Sequence, residues 1–473
     1  MQSDDLKEAA AVFLIALFLY LAVLALFGSL PFHYDEGIYA LMIHEFSRDP
    51  WVVMPTVTGE DMEFKPPLFT WVYAAPFLLL GGIGLAPELA MRMPSAFFAA
   101  GAACVVFLIA KKLYGRDSAI LSAALFMTSP ILLFASATVM MEALSVLLVV
   151  SAIYLYISDR RAAGILCLFF LAMTKWLYGG AVILFVAAHF IRDKKLPAIA
   201  LSFLSLPAGL LAYLALAWMF GDYGSAASNL TLDIVRTNPE PLSGLTVLNY
   251  ILRLGTFFFS TFPLSLLFVY FAFFGKYDRW GERPLLALGA LGLLMPLSRF
   301  FIFWYAIISV PALAVFTARR MSSEGNRLLI ATIAAAIILL NLLAFAGTFE
   351  PGTPETREAA AFMKGKEAQF LETNRFFPNW LAISERYLGT DKEYLLLEQN
   401  NPSLLFYRFN DSEDYGFLKP LFAAEGDVPE CGLPLVIHKY PYSGYVFPYS
   451  VPPCMELHQN GTHYDVYLPA PSS

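Results

Sequence analysis

The chain has 473 residues, of which 58% are apolar and only 15% charged, with 42 Phe, 24 Tyr and a formal net charge of −7. Soluble globular domains carry about 25% charged residues. Together with a mean hydropathy of +0.61, this excludes a soluble enzyme, a disordered chain and a basic nucleic-acid binder.

Runs without any Asp, Glu, Lys or Arg occupy residues 9–32, 93–110, 196–221, 254–275 and 328–349, each able to cross ~30 Å of hydrocarbon as a helix. The first run ends at Phe32 and His33 without a small-residue cleavage site, so it is expected to be a retained span and not a signal peptide. Asp35 and Glu36 follow in FHYDEGIYALMIHEF, a pattern that predicts an amphipathic surface helix with Ile38, Leu41, Met42 and Phe46 toward lipid. Asp35 suits the cap of that helix, and Glu36 its positive end. Asp35 equally suits a general base, because partial desolvation at the water–lipid boundary keeps a carboxylate reactive. Lys65 in FKPPLF is either a snorkelling interfacial lysine or an ammonium fixed beside a stiff Pro-Pro step, placed to neutralise a phosphate. Residues 66–87 are uncharged but contain Pro66, Pro67 and Pro76, and are expected to lie on the membrane or re-enter it without spanning.

Lys and Arg concentrate in five short loops: Lys111, Lys112 and Arg116; Arg160 and Arg161; Arg192, Lys194 and Lys195; Lys276, Arg279 and Arg283; Arg319, Arg320 and Arg327. Positive loops stay cytoplasmic. If all five face one side, every intervening apolar stretch crosses twice. The expected path then has eleven spans, at 9–31, 93–110, 117–133, 137–157, 162–175, 177–191, 196–219, 255–275, 285–298, 300–318 and 328–348. Lys175 splits residues 162–191 into two segments shorter than the ~20 residues of an ordinary span, which predicts a broken pair of short helices near a polar cavity. The N-terminus is cytoplasmic on this path. The outer face carries a loop at 32–92, a loop at 220–254 and the tail.

The tail, 350–473, holds 17 acidic and 9 basic residues and is expected to be a separate extracytoplasmic mixed α/β domain, leaving 1–349 as the membrane domain. Thr353 and Pro354 predict a helix start, Leu433 to Lys439 a strand, and MELHQ-Asn460-Gly461-THYDVYL a hairpin. Of four cysteines, Cys104 and Cys167 lie in apolar runs. Cys431 and Cys454 could form a disulfide in an oxidising compartment. Sequons at Asn229, Asn410 and Asn460 fall on the expected outer side.

Arg92, Lys175 and Arg299 share the ambiguity of Lys65: each is expected at the outer end of a span, where the inside rule does not favour positive charge. Four such cations around one face suggest an anionic headgroup. Glu142 in ATVMMEALS is either a solvated helix-end residue or an intramembrane carboxylate with a function. His33 and His44 with Asp35 match no zinc spacing. Neither a GxGxxG turn nor a P-loop is present, so any group donor is expected to arrive through the membrane.

In order, YDEGIYA at 34–40, KPPLFTW at 65–71, RMPSAFFAA at 92–100, KKLYGR at 111–116, TSP at 128–130 followed by ATVMMEAL, and LAMTKWLYGG at 171–180 resemble the polyprenyl-phosphate-sugar-dependent glycosyltransferases of the GT-C superfamily. Relatives there include protein O-mannosyltransferases and the aminoarabinose transferases of lipid A. The resemblance covers about the first 190 residues. It departs from the family at Glu142, where many relatives have Asp, and at Thr174-Lys175-Trp176, where TKG is common.

The resemblance implies an α-helical polytopic membrane enzyme of GT-C type with interfacial helices. That enzyme would transfer a sugar, with inversion, from a dolichyl or undecaprenyl phosphate to a hydroxyl of a protein, lipid or glycan at the extracytoplasmic face of the plasma membrane. Asp35 would be the base, and Lys65, Arg92, Lys175 and Arg299 would bind the donor phosphate. No metal is required, although Glu36 and Glu142 leave room for a divalent cation. A flippase of lipid-linked sugars and a scaffold with a partner-binding tail are the alternatives. Against the flippase, there is no inverted repeat with matched broken helices.

Overall fold

A computed structural model describes residues 3–27, 36–48, 51, 53–57, 60–61, 66–190, 196–221, 226–227, 244–274, 282–297, 303–323, 332 and 334–342, and in the tail 368–372, 394–397, 405–409, 420–423, 435–438, 454–460 and 464–470. The chain forms two compact units, one of Met1–Gly28 with Glu63–Phe349 and the other of Ser29–Met62 with Glu350–Ser473.

The first unit is helical: α1 (Ser3–Phe27), α3 (Leu68–Gly82), α4 (Pro87–Tyr114), α5 (Arg116–Met127), α6 (Pro130–Ala137), α7 (Met141–Ile157), α8 (Arg161–Lys175), α9 (Gly179–Phe190), α10 (Leu196–Phe220), α11 (Gly244–Ser260), α12 (Leu264–Phe274), α13 (Arg283–Leu294) and α14 (Val310–Ser323). Residues 334–342 are also helical. The second unit supplies α2 (Glu36–Arg48) and the strands described below.

Helix contacts fix the direction of the bundle. Lys111 Nζ pairs with Asp5 at 2.7 Å and with Glu8, and Arg116 Nε reaches Glu8 at 2.8 Å, so the N-terminus sits beside the first basic loop. The Arg319 guanidinium lies 5.5 Å from the Tyr114 ring, and Arg320 pairs with Glu282. Gly101 on α4 meets Leu147 on α7, while Ser95 meets Thr138 before it, so these two helices run parallel. Ile157 and Tyr114 therefore end at the same level. The described members of the basic loops thus gather at one end of the unit, as their charge predicts.

Helical residues continue from Arg161 to Phe190, a run of 30. A straight helix of that length would separate its ends by ~43 Å at 1.5 Å per residue, yet the Arg161 guanidinium lies 5.8 Å from the Phe190 ring. The chain therefore folds back at the 3₁₀ turn Trp176–Tyr178, forming the hairpin of short helices that the break at Lys175 predicts. Beside it, a Cβ on Gly209 would lie 2.6 Å from the Phe169 carbonyl oxygen and 2.6 Å from Ala172 Cβ. α10 and α8 approach so closely there that only glycine fits.

Several expected spans are broken. The span at 117–133 bends by 60° between α5 and α6. Pro130 has no N–H to continue the ladder and forces Ser129 to an extended ψ of 136°. Pro130 then serves as the first residue of α6. Pro263 likewise separates α11 from α12 within 255–275, and α11 starts at Gly244, inside the expected outer loop. The expected span at 300–318 is a 3₁₀ turn, Phe303–Ile308, followed by α14. Besides 161–190, three helices are long and apolar enough to span among the described residues: Asp4–Leu26, Glu88–Tyr114 and Ala200–Phe220; the bent pair adds a further candidate. Residues 68–82, expected at the surface, form the short apolar α3.

In the second unit, Tyr39, Ala40, Met42 and Ile43 of α2 are buried. Met42 therefore packs within the protein and does not face lipid as its periodicity suggests. A five-stranded sheet has the order β5-β3-β7-β9-β8, built from β3 (Ala368–Glu372), β5 (Leu405–Phe409), β7 (Leu435–His438), β8 (Met455–Asn460) and β9 (Tyr464–Pro469). Strands β4 (Tyr394–Leu397) and β6 (Pro420–Ala423) pair in parallel, and β1 (Thr56–Val57) pairs with β2 (Glu60–Asp61). Strand β7 lies within the stretch that the sequence marks as strand. The expected C-terminal hairpin is formed, its inner pair being Asn460 with Asp465. The expected helix start at Thr353 and Pro354 lies outside the described residues.

Candidate active site

The end of the first unit away from the basic loops holds a buried polar cluster. The chain leaves helical geometry between α6 and α7, with Thr138 and Met140 both extended. Their carbonyls find partners on other helices: Ser95 Oγ of α4 donates to Thr138 at 2.6 Å, and Tyr73 Oη of α3 reaches Met140 at 3.3 Å. The two hydroxyl oxygens lie 2.9 Å apart. This satisfies main-chain oxygens that would otherwise be costly in an apolar setting, and it fixes where α7 begins.

Glu142 occupies the first turn of α7, where a carboxylate is favoured by the helix dipole. Lys175 occupies the last residue of α8, where an ammonium is favoured for the same reason. The two form an ion pair with side chains only 1% and 11% exposed. Lys175 Nζ also lies 4.9 Å from the Tyr178 ring and 4.5 Å from the Tyr305 ring, and these rings meet edge to face at 6.4 Å. A cation desolvated between aromatic faces is held more strongly than one in water. The second oxygen of Glu142, Oε2, has no hydrogen-bond partner among the described residues, and neither have Ser145 Oγ and Trp176 Nε1.

Arg92 is 1% exposed inside α4, on the turn before Ser95, and is one of the largest fully buried side chains. The uncharged run at 93–110 puts it at the outer end of a span; α4 begins earlier, at Pro87, and carries it within the helix. The structure thus brings Arg92, Glu142 and Lys175 to one end of the first unit. Glu36, 1% exposed, opens α2 in the second unit. Asp35, Lys65, Arg299, Asn229, Asn410 and Cys431 lie outside the described residues. Asn460 ends β8, Cys454 is disulfide-bonded, and Cys104 and Cys167 are free. Among the described residues no three His, Cys, Asp or Glu side chains stand together as metal ligands. Sequence reasoning did not single out Tyr73, Ser95, Tyr178 or Tyr305. Tyr178 sits inside the quoted LAMTKWLYGG motif, but nothing in the local sequence ties Tyr305 to Lys175.

The fold matches a crystal structure of ArnT from Cupriavidus metallidurans in the apo state, with a TM-score of 0.65 and 13% sequence identity, over 97% of this chain and 98% of that one. A structure of the same protein bound to undecaprenyl phosphate matches with a TM-score of 0.57 and 14% identity, over 99% and 98% of the two chains. No curated protein sequence matches. At this level of identity the likeness is one of fold. Residues 8–188 match the family model of dolichyl-phosphate-mannose-protein mannosyltransferase.

Proposed function

We propose that this protein is a glycosyltransferase that moves a sugar from a polyprenyl phosphate, dolichyl or undecaprenyl, to an acceptor hydroxyl at the extracytoplasmic face of the plasma membrane. The observation that carries this reading is the buried, aromatic-flanked Glu142–Lys175 pair at the end opposite the basic loops. Burying two charges among apolar helices is costly, and ionisable groups at such depth mark substrate sites. Asp35 is the base that takes the proton of the acceptor hydroxyl. The acceptor oxygen then attacks the anomeric carbon, and the glycosidic bond to phosphate breaks with inversion. Lys65, Arg92 and Arg299 stabilise the negative charge left on the lipid phosphate. A monophosphate leaving group requires no metal. Residues 1–349 act as the membrane catalytic domain and 350–473 as an extracytoplasmic domain, on a path of about eleven spans.

Purified protein should transfer radiolabelled sugar from a synthetic polyprenyl phosphate donor, and Asp35→Asn should remove the activity while leaving the protein folded. A flippase would move label across vesicles and form no new glycoside. Accessibility labelling of single cysteines at 35, 65 and 299 tests the sidedness. Finding them on opposite faces of the bilayer would overturn this assignment.

A further inference from the structure

Resting on the reading of a lipid-linked sugar donor, we propose that Glu142 reads the sugar and that Lys175 is a positioning residue which holds Glu142, not a ligand of the donor phosphate. Lys175 is already neutralised: a carboxylate takes its ammonium, and two tyrosine rings flank it at 4.9 and 4.5 Å. A phosphate could claim it only by displacing Glu142, leaving a carboxylate buried without a partner.

What the cluster leaves unspent has a different chemistry. Glu142 Oε2 is an acceptor, Ser145 Oγ is a donor and acceptor on the same face of α7, and Trp176 Nε1 is a donor next to Lys175; all are buried and lack partners among the described residues. Buried polar groups are nearly always satisfied. A phosphate is repelled by the carboxylate, and a hydrocarbon tail can satisfy none of these atoms. A hexose offers hydroxyl donors to Glu142, ring and hydroxyl oxygens to Trp176 and Ser145, and C–H faces to the tyrosine rings. Glu142 Oε1 stays on Lys175, so the free oxygen is held in one orientation.

The test compares two probes on the purified protein: a synthetic polyprenyl phosphate, and the same lipid bearing whichever hexose from a panel the wild type transfers. Glu142→Gln should weaken binding of the sugar-bearing lipid by about 10- to 100-fold, the effect of losing a hydrogen bond to a charged group, while changing the bare lipid phosphate by less than about twofold. Lys175→Met should follow the same pattern and Lys175→Arg should restore binding. Unchanged bare-lipid binding also reports that each variant is folded. Where a single variant fails to fold, the double variant Glu142→Gln with Lys175→Met, which leaves no lone buried charge, should show the same selectivity. In the wild type, removing one hydroxyl of the sugar should cost as much as Glu142→Gln, and the two losses should not add.

Equal loss of both probes in Lys175→Met would make Lys175 a phosphate ligand and overturn the proposal. So would undiminished binding of the sugar-bearing lipid by Glu142→Gln. A wild type that transfers no lipid-linked sugar would sink the proposed function itself, a result distinct from either.

Discussion

Replacing Gly209 by alanine tests the close approach of α10 to α8. The added Cβ would meet the Phe169 carbonyl oxygen and Ala172 Cβ, each at 2.6 Å. One of these neighbours is backbone, so relief requires α8 and α10 to part. Overpacking of this kind costs about 1–3 kcal/mol, offset by up to ~1 kcal/mol from the better helix propensity of alanine. The net expectation is a loss of about 1–2 kcal/mol, a factor of roughly 5–30 in the folded-to-unfolded ratio. Gly180, next to the hairpin turn, is the control, since a Cβ there would meet nothing within 4 Å. Gly180→Ala should be neutral or slightly stabilising. Reversible unfolding by sodium dodecyl sulfate in mixed micelles measures both. If Gly209→Ala unfolds with the wild type or later, the helices do not touch there and the described packing of α8 on α10 is wrong.

Breaking the buried Glu282–Arg320 pair by Arg320→Met alone should cost about 3–5 kcal/mol, with most of the loss recovered when Glu282 is also made apolar; a double-mutant cycle in the same unfolding assay reads this. Lys111→Met, at a partly exposed cluster with Asp5 and Glu8, should cost less than ~1 kcal/mol and make stability less sensitive to salt. Mass spectrometry without reductant should find Cys454 joined to Cys431, a closure worth about 3 kcal/mol on the loop-entropy model. Free Cys431 thiol in the folded protein would contradict that pairing.

Much of the membrane architecture was legible because charge is expensive in hydrocarbon. The uncharged runs locate α1, α4 and α10, and the described members of the basic clusters share one end of the bundle. The break at Lys175 was legible for the same reason, since a charge in the middle of an apolar stretch needs a local partner. The boundaries were less so. Counting uncharged windows starts a span after Arg253, whereas α11 carries that arginine within it from Gly244. The same counting starts the first span at residue 9, although α1 opens at Ser3 with acidic residues paired to Lys111 and Arg116. Helical periodicity turned Met42 toward lipid because an apolar face does not say whether protein or lipid covers it. The candidate site was legible as residue types but not as partners: both Glu142 and Lys175 stood out singly, whereas their pairing joins α7 to α8 and depends on the fold-back after Lys175.

The length of α8 has a consequence for how reactants meet. From Arg161 to Lys175 it rises only ~21 Å, about 9 Å short of a ~30 Å hydrocarbon layer. If Arg161 lies at one boundary of such a layer, the Glu142–Lys175 pair lies beneath the other, inside the oily layer. On the proposed function, a lipid carrier would have to let its head dip below the plane of its neighbours, and the acceptor hydroxyl would have to be borne on something slim enough to follow it down.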